Sequence, residues 1–133
     1  MARSGISNLG GVVKSLGAAK RKALGDAERI IRRTSTDILN GVVDGTPEDT
    51  SVTIGDWQVG VNSTPTTKLD TPDPGGTSAK ARGQATILTG GIGDKINIVN
   101  NQEHVEGLND GDAVSKPAGW IEAAIDNATR RRP

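Results

Sequence analysis

Apolar residues recur at intervals of three and four along the first third of the chain, between Leu9 and Val42. This spacing places them on one face of a helix of about nine turns. Basic side chains occupy much of the opposite face. We predict a helix with residues 18–40 as its core and residues 5–17 as a weaker beginning, because glycines lower the helix propensity there. Gly45 can provide the cap at which the helix ends.

Two later segments alternate between apolar and polar residues, which is the pattern of a half-buried strand. The first covers residues 56–62 and starts around Trp57. The second covers residues 95–100, with Ile96 and Ile98 turned inward. We expect the two strands to form a small antiparallel sheet.

The remaining segments predict a loop and two more helices. Residues 63–80 contain several Pro and Gly residues and a lone bulky apolar residue, which is typical of an extended or flexible loop. Residues 79–88 predict a short middle helix. A C-terminal helix is expected to start at residues 115–117, with Pro117 in its first turn. Its apolar stripe consists of Ile121, Ala124, Ile125 and Ala128.

Together these elements predict an α+β fold with a long N-terminal helix, a small antiparallel sheet, a short middle helix and a C-terminal helix. The 133 residues fit a single domain over 1–133, with a basic N-terminal extension at about 1–17 and an extended loop at about 63–80. Only 33% of the residues are hydrophobic, against a usual share of about 45–50%. A helix of some 35 residues spans about 50 Å. The small remainder of the chain cannot cover it, so we expect part of its apolar stripe to pack on another subunit.

The net charge of zero divides into an acidic body between basic ends. Residues 1–33 hold eight basic and two acidic groups, residues 34–129 hold five basic and fourteen acidic groups, and three arginines follow. A chain of this kind can pair with copies of itself or bind a polyanion through its ends. A solvated helix face is the simpler interpretation of the basic stretch.

No motif for catalysis, a cofactor or a metal is found in the sequence. The chain has no Cys and one His, which excludes thiolate and His-pair metal sites. The glycines at 91 and 93 lack the final glycine of a dinucleotide fingerprint and precede a strand. Asp110 and Asp112 lie in a predicted turn without the ligand series of an EF-hand. We predict a non-enzyme without a cofactor; an enzyme with an unrecognised site is an alternative that no residue supports.

A membrane role is also disfavoured by the sequence. No apolar run approaches the roughly 20 residues of a membrane span, and the N-terminus lacks the apolar core of a signal peptide. A membrane-surface role for the long helix is disfavoured because its apolar face carries no aromatic anchor. We expect a soluble, intracellular protein.

Two groups of motifs follow one another in a distinctive order. The first is Val42-Val43-Asp44-Gly45-Thr46-Pro47-Glu48-Asp49-Thr50, followed by Trp57-Gln58-Val59. The second is Ile96-Asn97-Ile98-Val99-Asn100-Asn101, then Val105-Glu106-Gly107-Leu108 and Pro117-Ala118-Gly119-Trp120-Ile121. Over roughly residues 20–128 this order resembles the neck and tail-completion proteins of long-tailed bacteriophages. Ser51 stands where that family usually has Gly, and His104 stands near its usual Tyr.

The resemblance implies a virion structural protein of the head–tail connector, placed at the neck after assembly in the host cytoplasm. Rings of roughly six or twelve copies would join the portal–adaptor complex to the tail terminator or tail tube. DNA would pass through the ring without sequence-specific binding. An acidic body suits this passage, because acidic walls repel phosphate.

Three sets of candidate residues follow. The subunit or partner interface is assigned to Lys20, Arg21, Leu24, Arg29, Ile31, Arg32, Arg130, Arg131 and Arg132. The acidic residues expected to face the channel are Glu48, Asp49, Asp110 and Asp112. A structural turn is assigned to Thr46, Pro47, Asp49, Thr50 and Trp57, because proline fixes φ while the polar side chains hydrogen-bond the backbone.

The main rival is a small nucleic-acid-binding or regulatory protein that uses its basic helix. Basic residues on a helix can contact phosphates with a steep salt dependence. The acidic body and the absence of a recognisable recognition helix oppose this interpretation.

Overall fold

The computed structural model of the chain describes residues 9–47, 51–112 and 118–130, with the backbone alone described at 9, 10 and 112. Within these ranges the fold is α+β, as the sequence predicts. The helices are α1 (Leu9–Gly45), α2 (Ser51–Gly55), α3 (Thr77–Ile87) and α4 (Trp120–Arg130), and the strands are β1 (Trp57–Val61) and β2 (Ile96–Asn100). Shorter helical turns occupy Pro74–Gly76, Val105–Gly107 and Leu108–Asp112.

Helix α1 is continuous over 37 residues, which corresponds to about 55 Å. It confirms the predicted long helix and extends through the glycines of its first part. Gly45 is its last residue, but it does not adopt the left-handed conformation of a glycine cap. A Cβ at Gly45 would lie 3.2 Å from the Trp120 ring. The glycine therefore allows close packing of α4 instead of capping α1.

The sheet has two antiparallel strands, in which Trp57 is opposite Asn100 and Val61 is opposite Ile96. Both strands lie where the alternating pattern predicts them. Arg82 of α3 donates a hydrogen bond of 2.7 Å to the carbonyl of Gly55, just before β1. This bond attaches helix α3 to the start of the sheet and helps to fix the position of the sheet against α1.

The core surrounds the C-terminal half of α1. It consists of the buried side chains Leu39, Val42, Val43, Ile54, Trp57, Ala79, Ile87, Trp120 and Ala124. The rings of Trp57 and Trp120 meet edge to face, with centroids 6.3 Å apart. Such aromatic pairs contribute beyond the area that they bury, which matters in a chain with so few bulky apolar residues.

Three details differ from the sequence prediction. Residues 51–55 form the short helix α2, which the apolar pattern does not predict. Helix α3 begins at Thr77, because the Asp73 carboxylate accepts hydrogen bonds from the backbone N–H groups of Ser78 (3.3 Å) and Ala79 (2.8 Å). Helix α4 begins at Trp120, later than predicted, after a turn in which Gly119 has φ +81°. Pro117 lies outside the described residues.

The stripe predicted on α4 is partly confirmed. Ala124 and Ala128 are buried and Ile121 is half-buried against the core. Ile125 was expected to face inward, but it is 42% exposed. The helix packs so closely on α1 that only small side chains fit the contact: a Cβ at Gly41 would lie 2.9 Å from the Cβ of Ala124.

Candidate assembly surface

The N-terminal half of α1 extends beyond the rest of the described chain. We call residues 9–25 the arm. From residue 11 onward its residues are exposed, apart from Gly17, which is half-buried. Val12, Val13, Leu16 and Leu24 are 50%, 59%, 66% and 44% exposed. The described part of the chain therefore leaves uncovered the apolar stripe that the sequence assigns to a subunit contact.

The arm meets the body at a shallow groove of about 520 Å³, which is lined by residues including Leu24, Glu28, Ile92 and Asp94. Arg32 closes the contact, donating a hydrogen bond of 2.8 Å from Nε to the carbonyl of Gly90. Its guanidinium also pairs with Glu28 at 2.8 Å. The bond to Gly90 holds α1 against the loop before β2, C-terminal to the exposed arm.

The charged residues at the base of the arm pair along the helix. Lys22 and Arg29 both contact Asp26, at 3.0 and 2.6 Å. The hydrogen bond from Lys22, followed by that from Arg29, lowers the pKa of Asp26. Such i,i+3 and i,i+4 pairs stabilise the helix modestly. Lys14, Lys20 and Arg21 form no ion pair within the described residues.

The predicted interface residues differ in their exposure and in their place in the fold. Lys20, Arg21 and Leu24 lie exposed on the arm, and Arg29 is exposed beside it. Ile31 and Arg32 are half-buried, and Arg32 is bound to the body. Arg130 is exposed at the end of α4 and lies 3.8 Å from Asp126. Arg131 and Arg132 lie outside the described residues.

The predicted structural turn connects α1 to β1. The Thr46 hydroxyl donates to the carbonyl of Val42 at 2.6 Å and accepts from Trp57 Nε1 at 2.7 Å. Pro47 is buried beside them. Asp49 and Thr50 lie outside the described residues, as does Glu48 of the channel set. The described half of the turn holds the end of the long helix against the sheet.

A buried carboxylate that the sequence analysis did not select organises the long loop. Asp56 is fully buried. Its Oδ1 accepts from Gln58 Nε2 at 2.6 Å and from the backbone N–H of Leu69 at 3.3 Å, and its Oδ2 accepts from Gln102 Nε2 at 2.8 Å. All three donors are neutral amides. The sequence signal was weak: an Asp directly before a strand, followed two residues later by Gln.

The same amides hold the loop after β1 against the body. Gln58 also donates to the carbonyl of Thr67 at 2.7 Å, and Gln102 donates to that of Leu69 at 3.1 Å. Asn101 donates to Pro65 and Thr67 carbonyls, each at 3.1 Å. The extended segment is therefore attached by side chains from both strands and their ends, which explains its order without a core of its own.

Acidic side chains gather at the end of the body opposite the arm. Glu106 and Asp110 are exposed on the helical turns after β2. The Asn109 amide donates to both carboxylate oxygens of Glu122 on α4, at 3.0 and 2.9 Å. This hydrogen bonding lowers the pKa of Glu122. We call Glu106, Asp110 and Glu122 the acidic end. Asp112 is described by its backbone alone, so its side chain is not assigned to the acidic end.

The position of the acidic end follows from contacts around the C-terminus of α1. Trp120 packs against Gly45, and its indole donates a hydrogen bond of 3.1 Å to the carbonyl of Leu108. Half-buried Leu108 and Ile121 lie between the carboxylates and the core. This end of the body therefore carries half-buried apolar side chains as well as carboxylates.

No three His, Cys, Asp or Glu side chains are grouped to hold a metal ion within the ranges that the structure describes. None of the helices described there combines the length and apolar character needed to cross a bilayer. Comparison with models of protein families, with curated proteins and with solved structures finds no match for this chain.

Proposed function

We propose that this chain is a structural subunit of a phage head–tail connector and that it works as a homo-oligomer. The observation that carries the proposal is the arm, on which Val12, Val13 and Leu16 are exposed along a helix that the described chain leaves uncovered. Contiguous exposed apolar surface of this kind is typical of a protein contact. The order of the motifs at 42–59 and 96–121 supports a connector among the possible assemblies.

In this proposal, copies of the chain close into a ring around the DNA channel. The ring joins the portal–adaptor complex to the tail terminator or tail tube. Residues 34–129 carry fourteen acidic and five basic groups, and this excess repels phosphate so that DNA passes without adhering. The chain supplies packing surfaces and charge, with no catalytic step.

The first test is the oligomeric state of the purified chain. Light scattering and sedimentation should detect a closed oligomer, and negative-stain microscopy should show rings with a central hole. Leu16→Glu on the arm should shift the equilibrium to monomer, because it places a charge in the contact. Leu88→Glu is the matched control, since Leu88 is comparably exposed (56%) at the C-cap of α3. A wild-type chain that stays monomeric at every concentration would contradict the proposal.

The second test uses the phage particle. Loss of the chain should leave filled heads and complete tails that do not join, and adding purified chain should restore joining. Normal particles without the chain would be incompatible with a connector role.

Nucleic-acid binding is a second candidate because Lys14, Lys20 and Arg21 are exposed on one helix without acidic partners among the described residues. Duplex binding measured at low and at moderate salt separates the two functions. Steeply salt-dependent binding by a monomer would favour this candidate over the connector.

A further inference from the structure

We propose that the arm of one copy docks on the acidic end of the next copy, so that subunits join head to tail. This inference rests on the homo-oligomer proposed above and specifies the two surfaces that meet. The surfaces are the exposed apolar stripe of the arm and the acidic end, where half-buried Leu108 and Ile121 accompany Glu106, Asp110 and Glu122.

The arm carries charge of one sign. Between residues 9 and 25 it has Lys14, Lys20, Arg21 and Lys22 and no Asp or Glu. Lys14, Lys20 and Arg21 form no ion pair within the described part of the chain. Two arms packed side by side would bring these like charges together, which is unfavourable. The apolar stripe is therefore better matched by a surface of negative charge.

The acidic end provides the complementary surface. Glu106 and Asp110 are exposed and form no ion pair within the described residues. The Asn109 amide fixes the Glu122 carboxylate in place. Half-buried Leu108 and Ile121 are the chain neighbours of Asn109 and Glu122 and pack against the core. The apolar face of the arm matches the apolar side chains of the acidic end, and the lysines that flank this face match its carboxylates.

The arm cannot reach the acidic end of its own chain. The arm is the N-terminal part of α1, whereas the acidic end packs beside its C-terminus, and the continuous helix from Gly25 to Gly45 separates them by about 30 Å. Folding back would require breaking that helix. The arm therefore docks on a second copy of the chain. The two surfaces that meet are different from one another.

A contact between two different surfaces is heterologous, and it closes into a ring when the rotation between neighbours permits. Head-to-tail docking thus gives the connector ring its polarity. It also places Asp110 in the contact between subunits, whereas the sequence predicts this residue on the channel wall.

Charge reversal on each surface tests the inference. The arm variant carries Lys14→Glu with Lys20→Glu, and the end variant carries Glu106→Lys with Asp110→Lys. For each variant alone, the apparent association constant should fall by at least about tenfold at low salt, because like charges then face each other. An equimolar mixture should recover oligomers, because each reversed surface meets a complementary partner. Lys95→Glu and Asp70→Lys, which change exposed charges elsewhere, should assemble as wild type.

The outcomes separate this inference from the proposed function. If the end variant assembles as well as wild type, the arm docks elsewhere and the inference is overturned, while the homo-oligomer stands. If the wild-type chain does not assemble under any condition, both fail. Arm-to-arm packing would instead give an end variant that assembles as wild type, and an arm variant that recovers oligomers when it is mixed with wild type.

Disulfide trapping provides a second measurement that needs no charge change. The chain has no Cys, so introduced thiols report their own contacts. A mixture of Leu16→Cys and Asp110→Cys proteins should form the mixed dimer under mild oxidation. Predominant Leu16→Cys homodimers would rule out head-to-tail docking. Leu88→Cys in place of Leu16→Cys is the matched control and should not be trapped.

Discussion

Trp57 and Thr46 join the end of the long helix to the sheet. The Trp57 indole donates a hydrogen bond of 2.7 Å to the Thr46 hydroxyl, which donates in turn to the carbonyl of Val42 at 2.6 Å. Thr46 is 1% and Trp57 is 5% exposed, so water does not replace these partners. The other side of Trp57 meets the ring of Trp120. One buried contact therefore connects α1, β1 and α4.

Thr46→Val should destabilise the fold by about 1–3 kcal/mol, because it leaves the buried indole N–H of Trp57 without its acceptor. The midpoint of urea unfolding measures the change. Thr129→Val removes an exposed hydroxyl that bonds the backbone of α4 and should change stability by less than about 0.5 kcal/mol. Equal losses in both variants would mean that the Thr46 hydroxyl has no special role.

Asp56→Asn should destabilise the fold and release the loop after β1. The carboxylate accepts from three amide donors, and an Asn side chain would place its own NH₂ against at least one of them. Hydrogen bonds to a charged group contribute about 1.5–3 kcal/mol each, so we expect a loss of that order. Limited proteolysis should show faster cleavage within residues 63–72.

The control for this prediction is Asp70→Asn, since Asp70 is exposed and accepts a longer bond of 3.3 Å from Gln102. Its cleavage rate should match that of wild type. A fully stable Asp56→Asn variant with a protected loop would show that packing, not the carboxylate, holds this segment.

Two glycines of the same helix should respond in opposite directions to alanine. Gly41→Ala places a Cβ 2.9 Å from that of Ala124, and such overpacking costs about 1–3 kcal/mol. Gly25→Ala meets nothing within 4 Å and should gain up to about 1 kcal/mol from helix propensity. Thermal unfolding of both variants measures the difference. Stabilisation by both changes would mean that α4 moves away from α1 at little cost.

The Asn109–Glu122 pair should make stability depend on pH in the acidic range. The hydrogen bonds from Asn109 lower the pKa of Glu122 below its usual value of 4.5 in the folded chain. The folded state therefore binds the proton less readily than the unfolded state. The resulting stabilisation is present above pH 4.5 and is lost as the pH falls through the folded pKa.

Urea midpoints for wild type and Glu122→Gln, taken from about pH 7 to about pH 3, test this assignment. The variant should show a shallower loss of stability at acid pH. Parallel curves for wild type and Glu122→Gln would show that this carboxylate does not contribute to the loss of stability at acid pH.

The sequence by itself determined the elements whose residues are neighbours in the chain. Helix α1 and strands β1 and β2 lie where the three-to-four and alternating patterns predict them, because those periods arise from backbone geometry alone. The long helix in a chain poor in apolar residues also determined that the rest of the described chain would leave part of its stripe uncovered. The sequence does not indicate which part of the stripe stays uncovered, because covered and uncovered turns of the helix carry the same apolar pattern.

The tertiary structure decided what depends on distant residues. Asp56 meets Gln102, 46 positions away, and no local pattern distinguishes it from a surface carboxylate. Gly45 was expected as a cap, but its lack of a side chain serves the approach of Trp120. Ile125 belongs to the apolar stripe of α4 but is exposed, because the close contact between Gly41 and Ala124 sets the rotation of the helix. The separation of the basic arm from the acidic end likewise comes from how α4 and the turns after β2 pack at the far end of α1.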